Sequence, residues 1–137
     1  MSQLIECVPN FSEGRNSDTI AKIEQAILNV PGVNILDIKP GIADNRTVFT
    51  FAGSPEAVCE AAFQSIVMAQ QSIDMRHHQG AHPRMGATDV CPLVPVKGVS
   101  LEECAKLAHS LGKRVAQECN IPIYLYEASA TSPQRTR

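Results

Sequence analysis

Three stretches of the chain repeat apolar residues at helical spacing, and five shorter runs alternate or stay apolar in the manner of strands. Leu4 to Val8 reads as a first strand that ends at Pro9, followed by the loop Asn10-Phe11-Ser12-Glu13-Gly14-Arg15. Ser17 can cap a helix running to about Val30, with Ile20, Ile23, Ile27 and Val30 on one face, and Pro31-Gly32 stops it. Val33 to Ile38 is a second strand, which Pro40-Gly41 breaks. Arg46 to Phe51 is a third, paired with the second as a hairpin.

Ser54-Pro55-Glu56 places a capping hydroxyl, a proline at the first helical position and an acid in the first turn. Val58, Ala62, Ile66, Ala69 and Ile73 continue that helix, which ends near Met75. Residues 76–88 form a polar loop rich in histidine and glycine. Val90 to Val96 is a strand whose Pro92 and Pro95 call for an edge position or a bulge. Ser100-Leu101-Glu102-Glu103 is a capping box, and the helix behind it turns Leu101, Cys104, Leu107, Leu111 and Val115 inward. Ile123 to Tyr126 is the last strand, and the tail from Ser129 has no periodicity.

The resulting order, β-α-β-β-α-β-α-β, predicts an α/β (α+β) chain folded as a two-layer sandwich: a mixed sheet with three helices on one face. Residues 1–128 make up the folded unit and 129–137 a disordered tail. Val33, Ile35, Leu36 and Ile38, and likewise Val90, Leu93, Val94 and Val96, are apolar on both sides of their strands, which belongs in a sheet covered on both faces. No element of this chain remains to supply the second cover. The sequence therefore calls for a partner layer, either a second copy or a separate subdomain.

Composition changes this picture little. The 137 residues suit one domain; 44% are apolar and 19% charged, and the net charge of −2 gives no electrostatic footprint for nucleic acid. No apolar run is long enough to span a membrane. The first residues lack the basic and apolar segments of a signal peptide, so a cytoplasmic protein is expected. The five cysteines, Cys7, Cys59, Cys91, Cys104 and Cys119, are odd in number, widely spaced and set in apolar stretches, as reduced core thiols would be.

Candidate chemistry concentrates in Arg76-His77-His78-Gln79-Gly80-Ala81-His82-Pro83-Arg84-Met85-Gly86. Titratable groups gathered on a loop between rigid elements suit a reaction site. His82, before a proline, should be extended and able to project. It is either a general base toward an amine nucleophile or a loop residue that hydrogen-bonds backbone. A metal held by His77, His78 and His82 is the rival chemistry, but Gly80 interrupts the helix that would align them and no nearby Cys or Asp pair completes a motif. His109, within the third helix, reads as a surface residue. The Ser12–Arg15 turn enters a helix N-terminus, where backbone N–H groups with Arg15 could bind a carboxylate. Arg46 and Arg84 are candidate carboxylate clamps.

Four segments together resemble one family. Val8-Pro9-Asn10-Phe11-Ser12-Glu13-Gly14, Asn45-Arg46-Thr47, His82-Pro83-Arg84-Met85-Gly86-Ala87 with Asp89-Val90-Cys91-Pro92, and Pro122-Ile123-Tyr124-Leu125-Tyr126 look like the N-terminal subdomain of glutamate formiminotransferase, of the formimidoyltransferase-cyclodeaminase family. The resemblance runs the length of the chain in order. It implies transfer of a formimino group from N-formiminoglutamate to tetrahydrofolate, a co-substrate, in histidine degradation, with no metal. It puts His82 in the place of the general base, and Asn10, Arg15, Lys39, Arg46 and Arg84 among the candidates for binding folate and substrate.

Two departures stand out. The family carries an acidic residue where this chain has Lys39, and a lysine repels a cationic formimino group unless Asp37 or Asp44 offsets it. The family enzyme also has a C-terminal subdomain facing this one, with the folate between them. A non-catalytic N-subdomain that binds folate or a protein is therefore the alternative to an enzyme component.

Overall fold

The computed structural model describes residues 2–73 and 87–119. The expected strand Ile123–Tyr126, the tail, and the histidine loop with His77, His78, His82 and Arg84 lie outside the described residues. Within them the chain forms β1 (Leu4–Cys7), β2 (Asn10–Phe11), α1 (Ser17–Leu28), β3 (Val33–Gly41), β4 (Arg46–Gly53), α2 (Pro55–Ser72), β5 (Thr88–Val90), β6 (Leu93–Lys97) and α3 (Leu101–Cys119).

The two-layer sandwich holds. One sheet carries the three helices on a single core, although among the described residues the expected mixed sheet is antiparallel at every pairing. The order is β5-β2-β4-β1-β6 with β3 paired to β4. The physical reason is insertion. β4 lies between β1 and β3, the strands joined through α1, and β1 lies between β4 and β6, the strands joined through α2. Strands of like direction are thus never neighbours, as in a split β-α-β arrangement.

Prolines cut two strands that the sequence reads as single or as loop. Asn10–Phe11 pairs with β4 and β5, so part of the expected loop is a strand, separated from β1 by Val8-Pro9. The expected strand Val90–Val96 is interrupted at Cys91-Pro92, and Pro92, which has no N–H, accepts from the Val8 amide at 3.2 Å instead. Pro40-Gly41 does not break β3: both residues pair, with Thr47 and Arg46. β3 borders only β4 among the described strands, so the missing N–H of Pro40 faces no second partner.

A bulge explains why β3 looks apolar on both sides. Ile35 pairs with Phe51 and Asp37 with Thr50, leaving Leu36 as an extra residue. Val33, Ile35 and Ile38 then all pack toward the core, and Leu36 alone is 56% exposed.

The helix signals were mostly local and mostly held. Ser54 accepts from the Ala57 amide at 3.3 Å with Pro55 behind it. Ser100 and Glu103 bond reciprocally, at 2.8 and 3.0 Å. α1 is capped one residue earlier than expected: Asn16 is extended and its side chain accepts from Asp18 and Thr19. Leu101, expected inward, is exposed, because it opens α3 one turn before the core face begins at Cys104.

Phe11, Phe49, Phe51, Ile5 and Cys7 from the sheet meet Ile23, Ile27, Val58, Ile66, Cys104 and Val115 from the helices. Each large side chain taken from water contributes about 1.5–3 kcal/mol. Phe11 and Phe49 meet edge to face, with centroids 5.5 Å apart.

All five cysteines are free, and the Cys7 and Cys91 thiols share a hydrogen bond at 3.4 Å rather than a disulfide. Burial pushes the Cys7 thiol well up, reinforced by Cys91, and burial with Cys91 nearby takes Cys59 from 9.0 to about 11. Between those two values the folded chain keeps a proton that the unfolded chain releases, so folding should weaken as pH rises through that window. Melting temperatures across the window should fall in the wild type and fall less in Cys59→Ala. Identical slopes would remove Cys59 as the cause.

Candidate functional site

β4 sets the two faces of the sheet. Thr47, Phe49 and Phe51 are fully buried against the helices, so Arg46, Val48 and Thr50 point the other way. Cross-strand partners share a face. Val48 pairs with Lys39 on one side and Asn10 on the other, and Asn10 pairs with Val90. Lys39, Val48, Asn10 and Val90 therefore form one row across the face away from the helices. At about 4.8 Å per strand, Lys39 and Asn10 lie about 10 Å apart. Arg46 stands two residues from Val48 on the same face, and Asp37 shares the adjoining row with Thr50.

Three residues singled out from sequence, Asn10, Lys39 and Arg46, thus meet on this open face. It is a mosaic rather than an apolar strip. Lys39 Nζ lies 3.4 Å from an Asp37 carboxylate oxygen, and an Arg46 guanidinium nitrogen lies 3.8 Å from Asp44. Glu6 adds a carboxylate between Ala52 and Val94. The exposed apolar strand residues are Leu36 on β3 and Val94 with Val96 on β6, at opposite borders of the sheet.

Arg15 does not join the row. Its Nε–H donates to the Ile42 carbonyl at 2.9 Å, in the turn between β3 and β4. At the Ser12–Arg15 turn, where the sequence suggests a carboxylate site, the chain's own Glu13 takes the backbone amides. Glu13 accepts from the Arg15 and Asn16 amides at 3.0 and 2.8 Å, while Asn16 satisfies the first helical amides. His109 is exposed on α3, as expected.

What the sequence did not reveal is that two of its motifs grip each other. The Gly14 amide donates to Asn45 Oδ1 at 2.8 Å, and the Thr47 hydroxyl donates to the Glu13 carbonyl. Asn45 holds a left-handed backbone, φ 51°, a conformation asparagine tolerates better than most residues. The Ser12 amide donates to the Ala87 carbonyl at 2.8 Å, and Phe11 pairs with Thr88. The segment after residue 86 thus rejoins the sheet beside Asn10. No local signal could have announced these contacts, since the partners are tens of residues apart.

A groove of about 650 Å³ lies between α1 and α2, lined by Lys22, Gln25, Asn29, Glu60, Gln64 and Met68 among others. It opens in the helix layer, away from the open sheet face.

Residues 4–137 match the family described as the formiminotransferase domain, N-terminal subdomain. The chain is similar to the rat formimidoyltransferase-cyclodeaminase, 55% identical over 98% of this chain and 25% of that protein. It is similar to the glutamate formimidoyltransferase of Streptococcus pyogenes, 46% identical over 98% of this chain and 45% of that protein. The enzyme of the same name from Thermoplasma acidophilum is 47% identical over 97% of this chain and 44% of its own length. The chain thus spans between a quarter and just under half of these relatives.

Proposed function

The chain belongs to the formiminotransferase N-terminal subdomain family, and on that premise we propose that it is the N-terminal part of a glutamate formiminotransferase. The reaction moves the formimino group of N-formiminoglutamate to tetrahydrofolate, in histidine degradation in the cytoplasm. The observation that carries this reading is the open sheet face. It gathers Asn10, Lys39 and Arg46, and the chain rejoins it at Ala87, five residues beyond His82.

In this reading His82 is the general base. N5 of the folate attacks the formimino carbon, and the new N–C bond leaves N5 with a proton to lose. A neutral imidazole accepts it and returns it to the glutamate nitrogen as the old C–N bond breaks. Arg46 and Arg84 hold substrate or folate carboxylates, Asn10 offers a side-chain amide to the same ligands, and Arg15 steadies the turn beside them. A C-terminal subdomain covers the open face and completes the folate site. Relatives at least twice as long as this chain carry the additional sequence to build it. A second copy of this chain is the competing cover.

The test is a folate-dependent transfer assay on residues 1–137 alone and with a C-terminal half supplied. Turnover should be absent alone and appear with the second half. Turnover by the chain alone would overturn the shared-site reading, and no turnover with the half present would overturn the assignment.

A further inference from the structure

The bulge in β3 does more than relieve an apolar pattern. Without the extra residue at Leu36, strict alternation from Ile35 would turn Asp37 and Lys39 toward the helices. With it, both stand on the open face as an adjacent carboxylate and ammonium, 3.4 Å apart and 46% and 77% exposed. Bulges commonly re-aim side chains in this way. We infer that the Asp37–Lys39 pair reads two neighbouring charges on one ligand: the formimino cation of N-formiminoglutamate, taken by Asp37, and its α-carboxylate, taken by Lys39.

This rests on formiminoglutamate being the substrate. The geometry fits that molecule in a particular way. Its amidine-like formimino nitrogen and its α-carboxylate are attached to the same carbon, so a cation and an anion sit side by side. Asp37 and Lys39 present the opposite signs side by side, Lys39 in the row of Val48 and Asn10 and Asp37 in the adjoining row with Thr50. Glu6, another carboxylate on this face, has Ala52 and Val94 as row neighbours and no lysine or arginine between them. Because both members are exposed, their mutual attraction is largely screened and the pair opens readily to a ligand. Lys39, alone a repulsive group for the formimino cation, becomes a second point of recognition.

The experiment titrates the assembled enzyme, this chain with a C-terminal half, with two ligands. N-formiminoglutamate carries the cation; N-formylglutamate has the same carboxylates and a neutral transferred group. Asp37→Asn should weaken N-formiminoglutamate about tenfold and leave N-formylglutamate within about twofold. Lys39→Met should weaken both by similar factors, because both have the α-carboxylate. Equal weakening of the two ligands by Asp37→Asn, or none, overturns the inference while the proposed reaction stands. A wild-type enzyme that binds neither ligand overturns the reaction and the inference together.

Discussion

His82→Ala is expected to lower formimino transfer by the assembled enzyme about 10²–10⁴-fold, the usual contribution of a positioned general base. Folding stability should change by no more than about 0.5 kcal/mol, the range of surface substitutions. Folate N5 must shed a proton as it forms its bond to the formimino carbon, and the glutamate nitrogen must gain one as it leaves. One group that shuttles a proton at neutral pH serves both steps, and imidazole is the side chain suited to that pH. Rate and melting temperature should be measured on the same preparation. A variant that keeps its rate shows that the proton moves another way, and a variant that unfolds shows that His82 is structural.

Gly14→Ala is expected to cost about 3 kcal/mol of folding stability, the upper part of the overpacking range. A methyl group there would lie 2.3 Å from the Gly41 carbonyl oxygen, 2.5 Å from the Arg46 amide nitrogen and 2.7 Å from the Arg46 carbonyl oxygen. All three atoms are backbone, so no side chain can rotate away. The β3–β4 hairpin must move off the 12–16 loop, and the bonds from Gly14 to Asn45 and from Thr47 to Glu13 are lost with it. Gly41→Ala is the control. Its added methyl meets the Arg46 carbonyl oxygen at 3.4 Å, an ordinary contact, so the loss should stay under about 1 kcal/mol. Denaturant melts compare the two. Equal midpoints would mean that the loop and the hairpin are not coupled as described. Because Arg46 and Asn10 flank this junction, Gly14→Ala should also weaken ligand binding under conditions where it remains folded.

The sequence alone determined the three helices and their inward faces, the Ser54 and Ser100 caps, the hairpin, the reduced cysteines and the family. Each of the structural signals is local: a cap acts over three residues, an amphipathic face repeats every three or four, and a turn is made by its own residues. The four motifs were visible as well, but only as a resemblance, without a reason for their residues.

Tertiary structure decided what depends on partners far away in the chain. The phase of β3 changes at Leu36 because its register is set by β4, so Asp37 and Lys39 reach the open face although their own sequence would place them elsewhere. Pro40 stays in a strand because of which neighbour that strand has, and Pro92 ends one because of which bond its missing N–H cannot make. Gly14 and Asn45, 31 residues apart, are functionally silent when read singly and form one junction when paired. Helix signals are written in neighbouring residues, whereas register, bulges and cross-strand rows exist only once distant segments meet. The open face of this protein is built entirely from the second kind.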